Sequence, residues 1–152
     1  MDQNPLNQYR KLFHTVYDCR YHVVFVPKYR FRILEGEIAS CIQEKFRQIC
    51  EWKEVNLIEG KVRTDHVHLY LSVPPKYSIS DVLKWLKGDS SVQVFRRFPE
   101  IKKRYWGQHF WARGYFVSTV GITDEIIRAY IKHQEQQELL EEELDKQQRL
   151  WK

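Results

Sequence analysis

His66 and His68 stand two apart in Asp65-His66-Val67-His68-Leu69-Tyr70-Leu71, inside the alternating run from Leu57 to Val73. On an extended strand alternate side chains share a face, so the two imidazoles project together while Val67, Leu69 and Leu71 project the other way. That is half of a metal site. Far downstream, Tyr130-Ile131-Lys132-His133-Gln134 sets a phenol and an amide four residues apart, one above the other on a helix face that Ile127 and Ile131 continue. Two imidazoles and a glutamine oxygen would give a divalent ion three neutral ligands, with positions left for water or a phosphate oxygen. Such an open site suits Mg²⁺ or Mn²⁺ as a Lewis acid, and imidazole tilts affinity toward Mn²⁺ or Zn²⁺. Tyr130, one turn from Gln134, would attack the scissile phosphate. An ordinary phenol has a pKa of about 10, so a cation or a base must favour the phenolate. The covalent phosphotyrosine stores the broken bond, and no nucleotide cofactor is required to rejoin the strands. Each part alone has a plainer reading: hydrogen-bonded structural histidines, and a core stripe with Tyr130 packed and Gln134 at its polar margin.

The elements that position these residues follow from periodicity. Thr15 to Val26 includes Tyr21-His22-Val23-Val24-Phe25-Val26, a nearly continuous β-branched and aromatic run that Pro27 ends, as expected of a central strand buried on both faces. From Glu35 to Trp52, Ile38, Ile42, Phe46, Ile49 and Cys50 recur at helical spacing. Val55 to Val62 is a strand that turns at Arg63 to Asp65 into the histidine strand, which Pro74 and Pro75 stop. Ser78 or Ser80 caps a helix through Phe95, with Gly88 a weak point. Trp106 to Gln108 reads as a turn and Phe110 to Val120 as a strand; Thr123 then caps the tyrosine helix, with Asp124 and Glu125 in its first turn. The order is strand, helix, strand, strand, helix, strand and an added helix. The expected fold is α+β, a ferredoxin-like βαββαβ antiparallel sheet with helices on one face plus a C-terminal helix that carries the nucleophile. In that fold the first and third strands lie side by side. His22 is then a neighbour of the histidine pair, although a core role is its simpler reading.

The chain reads as one domain over residues 1–152, with 135–152 a polar helical tail. Its 152 residues bury roughly 68 to 70% of the unfolded surface, enough for a core without staples. Cys19, Cys41 and Cys50 lack metal-type spacing, and Cys41 and Cys50 fall in a helical pattern as buried thiols, which fits a reducing cytoplasm. The apolar run His22 to Pro27 is far too short to span a bilayer, so a soluble cytoplasmic protein without a membrane partner is expected. The net charge is +5, yet Gln134 to Lys152 carries six acidic residues against three basic ones, so the body is more basic than the whole. Nine Tyr, eight Phe and five Trp lie among these cations, the ingredients of a single-stranded nucleic-acid surface on which bases stack and phosphates pair. Lys28 and Arg30, in the segment Pro27-Lys28-Tyr29-Arg30-Phe31-Arg32, are candidate nucleic-acid contacts; Arg63, Arg113 and Lys132 are candidates for holding phosphates.

His66-Val67-His68, Tyr130-Ile131-Lys132-His133-Gln134, Trp111-Ala112-Arg113-Gly114-Tyr115 and Tyr21-His22-Val23-Val24-Phe25 together resemble the single-tyrosine HUH transposases of the insertion sequence 200/605 family, over roughly Arg20 to Gln134. Lys87-Gly88-Asp89-Ser90-Ser91 also resembles a family segment, without an evident physical role. The resemblance implies Tyr130 as nucleophile, His66, His68 and Gln134 as metal ligands, and a 5′-phosphotyrosine with a free 3′-hydroxyl on single-stranded DNA. It further implies homodimers that recognise hairpins near element ends, in which the tyrosine helix of one protomer completes the other's site. A partner would also occupy Leu139, Leu140, Leu144 and Trp151 of the tail. Three alternatives stand beside this reading: a domesticated relative that processes repeated hairpins, a non-catalytic single-stranded nucleic-acid module on the same sheet, and a hydrolytic metal nuclease. The last lacks a carboxylate cluster, since Asp65 and Asp124 are isolated and read more simply as turn and helix-start residues.

Overall fold

The computed structural model describes residues 4–105 and 109–150, the side chain of Arg30 excepted. The turn expected at Trp106 to Gln108 and the packing of Trp151 lie outside the described residues. A small hairpin, β1 (Arg10–Leu12) with β2 (Thr15–Tyr17), precedes a four-stranded sheet of β3 (Arg20–Phe25), β4 (Asn56–Arg63), β5 (His66–Ser72) and β6 (Phe116–Ser118). The sheet order is β4-β5-β3-β6 with every neighbouring pair antiparallel. The helices are α1 (Gly36–Trp52), α2 (Ile79–Arg97), the short α3 (Pro99–Lys102) and α4 (Asp124–Leu150). Strand order and helix placement match the ferredoxin-like expectation, with β3 and β5 as the central strands.

Alternation divides the sheet into two unlike faces. Val23, Phe25, Val67, Leu69 and Leu71 are all at most 1% exposed and pack with Ile42 and Phe46 of α1 and Val82, Leu83 and Leu86 of α2. Burying five such side chains stabilises the fold by roughly 1.5 to 3 kcal/mol each. The opposite face carries His22, Val24, His66 and His68, and α4 lies across it. Val24 is fully buried on that side too, so β3 is covered on both faces as its unbroken apolar run implies. Ser78 Oγ accepts from the Asp81 amide at 3.0 Å and starts α2, and Thr123 Oγ1 accepts from the Ile126 amide at 3.2 Å and starts α4.

Two expected strands are corrected. The run from Thr15 breaks at Asp18 and Cys19, so β2 belongs to the N-terminal hairpin and only β3 enters the main sheet. Of Phe110 to Val120 only Phe116–Ser118 is a strand. Gly114 at φ 81° turns the backbone out of the pleat, and Phe110 to Ala112 instead run beside Val26 to Lys28 through a Pro27–Trp111 bridge and Ala112 N–H to Val26 O at 2.9 Å.

Candidate active site

Strand β5 presents the histidine pair as its period requires, and β3 brings a third imidazole beside it. His22 pairs in register with Tyr70, and Val24 with His68, so His22 and His68 are diagonal neighbours across the ladder. His22 Nδ1 lies 3.1 Å from His68 Nε2, and the His22 ring stacks on Tyr70 at 4.1 Å. The core reading of His22 is therefore replaced: it is partly buried on the face that carries His66 and His68. Asp65 is likewise more than a turn residue. Its Oδ1 lies 2.8 Å from His66 Nδ1, which orients that ring and leaves Nε2 outward. Burial, and then the neighbouring His22, lowers the His68 pKa below the ordinary imidazole value, so the neutral form is favoured.

These rings open onto a cleft of about 390 Å³ lined by Lys61, Arg63, His66, His68, Asp124 and Arg128, among others. Three cations against Asp65 and Asp124 give it the positive balance that phosphate binding needs. Ile127, Arg128 and Ile131 of α4 form its far wall.

Tyr130 and Gln134 meet each other one helical turn apart. Gln134 is 8% exposed, not marginal as its polarity suggests, and uses its amide fully: Nε2 donates to Arg113 O at 2.8 Å and to Tyr130 Oη at 2.5 Å. The Tyr130 ring packs on Phe116 at 5.9 Å. Burial pushes the phenol up to about 12, against the opposing pull of the Gln134 hydrogen bond, so the resting side chain is neutral. Gln134 lines a smaller neighbouring cavity with Val26, Pro27, Phe31 and Glu138, and not the histidine cleft; Asp65 and Ile131 border both. The fold thus sets the Tyr130–Gln134 pair and the histidine cleft side by side. Glu138 is buried one turn beyond Gln134 and accepts the Tyr29 amide at 3.1 Å, which seats α4 on the turn at Lys28–Arg30.

Of the candidate DNA contacts, Arg63 lines the cleft, while Arg113 and Lys132 are exposed. Arg113 enters the site through its backbone carbonyl. Lys28 Nζ lies 5.3 Å from the Tyr29 ring centroid, and the Arg30 side chain is outside the described residues. Lys61 and Arg128 join the cleft without a signal in the sequence, because each is an ordinary basic residue until the sheet and α4 face each other.

A family model described as "Transposase IS200 like" matches residues 15–134. The chain belongs to the IS200-like transposases. The transposase for insertion sequence element IS200 of Salmonella typhimurium (strain LT2) is 41% identical over 135 residues, 89% of each chain. A crystal structure of a candidate transposase from Deinococcus radiodurans is 35% identical, with a TM-score of 0.75, covering 82% of this chain and 97% of that one. A REP-associated tyrosine transposase bound to a REP hairpin shares the fold at 11% identity and a TM-score of 0.51, over 81% of this chain and 67% of that one. As an IS200-like transposase the chain is a DNA-processing enzyme. Among the described residues of this transposase no helix is long and apolar enough to cross a membrane.

Proposed function

We infer that this IS200-like transposase cleaves and rejoins single-stranded DNA by tyrosine transesterification, with Tyr130 as nucleophile. The observation that carries this reading is the pairing of Tyr130 and Gln134 beside a basic cleft that holds two histidines. Tyr130 Oη forms a bond to phosphorus as the bond from phosphorus to the 3′ oxygen breaks. The phenol proton passes through solvent to the leaving oxygen, giving a 5′-phosphotyrosine and a free 3′-hydroxyl. Rejoining is the reverse reaction with another 3′-hydroxyl, so no nucleotide is consumed.

The donor types suit a divalent cation, with His66 and His68 sharing one cleft and Gln134 lying in the cavity beside it. His66 offers Nε2 because Asp65 holds its Nδ1, and His68 offers Nδ1 while His22 engages its Nε2. Both Gln134 amide hydrogens are directed to protein oxygens, so Oε1 would be the atom it offers. Bound Mg²⁺ or Mn²⁺ would supply charge to the scissile phosphate and to the developing phenolate. Arg63, Lys61 and Arg128 would hold flanking phosphates, and Arg113, Lys132, Lys28 and Arg30 are secondary contacts.

A homodimer belongs to the same reading. Leu139, Leu140 and Leu144 on α4 are 53%, 55% and 56% exposed, a surface a second copy would cover. Tyr130 and Gln134 also stand outside the histidine cleft of their own chain, which a tyrosine helix contributed by a partner would remedy. Hairpin DNA is the substrate form to try, given the hairpin-bound enzyme of the same fold.

The test is a denaturing gel of the protein with labelled single-stranded DNA from both flanks of its gene, in Mg²⁺ or Mn²⁺. A metal-dependent band heavier by one protein mass is expected. Tyr130→Phe should lose that band and keep binding in a native gel, because only the nucleophilic oxygen is removed. Turnover by the phenylalanine variant would refute the assignment.

A further inference from the structure

Lys87-Gly88-Asp89-Ser90-Ser91 on α2 lines neither the histidine cleft nor the cavity beside Gln134, yet two of its side chains reach the loop beneath Gln134. Lys87 Nζ donates to Ala112 O at 2.8 Å and to Gly114 O at 2.9 Å. Between them, Arg113 O accepts from Gln134. Three consecutive carbonyls are thus bound by side chains: the first and third by α2, the middle one by α4. One turn along α2, Ser90 Oγ accepts from the Trp111 indole Nε1 at 2.9 Å and donates to Leu86 O at 2.5 Å. Ser90 is fully buried, and Trp111 is 6% exposed in the core. Lys87 and Ser90, three apart on one helix face, therefore grip Trp111 to Gly114 from behind.

A lysine is a costly way to fill such a place. Its ammonium lies 5.9 Å from the Phe25 ring, and burial brings its pKa down to about 8. A methionine would pack there at similar length. What only a donor such as lysine supplies is the hold on two carbonyls that flank the acceptor of Gln134.

Resting on the reading of Tyr130 and Gln134 given above, we propose that Lys87, with Ser90 as a second anchor, is a positioning residue for transesterification. It fixes the Ala112–Gly114 backbone so that Arg113 O orients Gln134 and, through Gln134, the Tyr130 hydroxyl. Neither Lys87 nor Ser90 contacts DNA in this role.

The variants are Lys87→Met, Lys87→Arg and Ser90→Ala in the full chain. Three readouts separate positioning from bulk stability: the Gln134 side-chain amide signals and their solvent exchange by NMR, the single-turnover rate of adduct formation, and binding of single-stranded DNA in a native gel. Lys87→Met is expected to shift the Gln134 amide, quicken its exchange and slow adduct formation by about 10 to 100-fold, with DNA binding within about twofold of the parent. Lys87→Arg, which keeps a donor, should recover part of the rate. An unmoved Gln134 amide, or equal losses of rate and binding that track a lower melting temperature, would overturn the proposal. If Lys87→Met does not fold by circular dichroism, Ser90→Ala takes its place under the same criteria. If the parent protein forms no adduct, transesterification fails as a reading, and the Gln134 amide still decides whether the clamp exists.

Discussion

Asp65 illustrates how one side chain can change the chemistry of its neighbour. Accepting from His66 Nδ1 at 2.8 Å, it fixes the ring and its tautomer, which is what a metal-binding imidazole needs. Asp65→Asn should raise the Mn²⁺ concentration for half-maximal adduct formation by about 10-fold or more, while His66→Ala or Gln134→Ala raises it further or abolishes activity. An unaltered metal dependence would remove these residues from the ligand set. His68 makes a separate prediction about acid. Its folded pKa is lowered by burial, so the unfolded chain binds that proton more tightly, and stability is lost as pH falls below about 6.5 toward the folded value. Urea denaturation of the parent and of His68→Gln between about pH 8 and 5 should show the parent losing stability relative to the variant only on the acid side of about 6.5. Parallel curves would contradict the shift. The spacing of His66 and His68 was readable from sequence because strand periodicity alone puts them on one face. The place of His22 was not: a diagonal contact across β3 and β5 depends on register, which no local pattern specifies.

At the scale of elements, the loop before β6 carries the most information and was the hardest to foresee. The alternation of Phe110 to Val120 reads as a strand, but the carbonyls of Ala112, Arg113 and Gly114 find their partners on α2 and α4, far away in sequence. Alternation implies a strand only where a backbone partner exists, and here side chains take that place. Gly114 is the point where this loop depends on one residue type. At φ 81° a non-glycine residue is strained by about 1 to 2 kcal/mol, and a Cβ there would stand 3.5 Å from Gln134 Nε2. Gly114→Ala should therefore lower the free energy of unfolding by about that amount in urea denaturation. An unchanged midpoint would mean that the loop relaxes freely. Helix α4 was legible in its first half, where Thr123 caps it and Tyr130 and Gln134 fall one turn apart. The short β1–β2 hairpin left no comparable trace, because its strands are three residues each and mostly exposed, and His14 turns between them at φ 70°.

For the whole molecule, the proposed chemistry requires the Tyr130–Gln134 pair to meet a histidine cleft, in its own chain or in a partner's. The basic cleft and the cavity beside Gln134 have Asp65 and Ile131 as common borders, and exposed leucines continue along the same helix. A mixture of Tyr130→Phe with His66→Ala separates the possibilities. If a partner's helix completes the site, the mixture regains adduct on the His66→Ala chain, which alone still carries Tyr130. If each chain completes its own, the mixture stays inactive. Light scattering of the parent should report a dimer in the first case. The ferredoxin-like order of strands and the family were legible from the combined motifs, since they span most of the chain. The place of the Tyr130–Gln134 pair beside the cleft was not, because it depends on how α4 is seated: by Glu138 on the Tyr29 amide, a contact between residues 109 positions apart. The placement of α4 after the last strand also has a consequence in time. At about 5 to 20 residues per second, a ribosome delivers Tyr130 roughly 3 to 12 s after His68. During that interval the histidine strand exists without the far wall of its cleft, since Ile127, Arg128 and Ile131 arrive on the same helix as Tyr130, so on this reading the chain gains its hold on DNA and the atom that cuts it together.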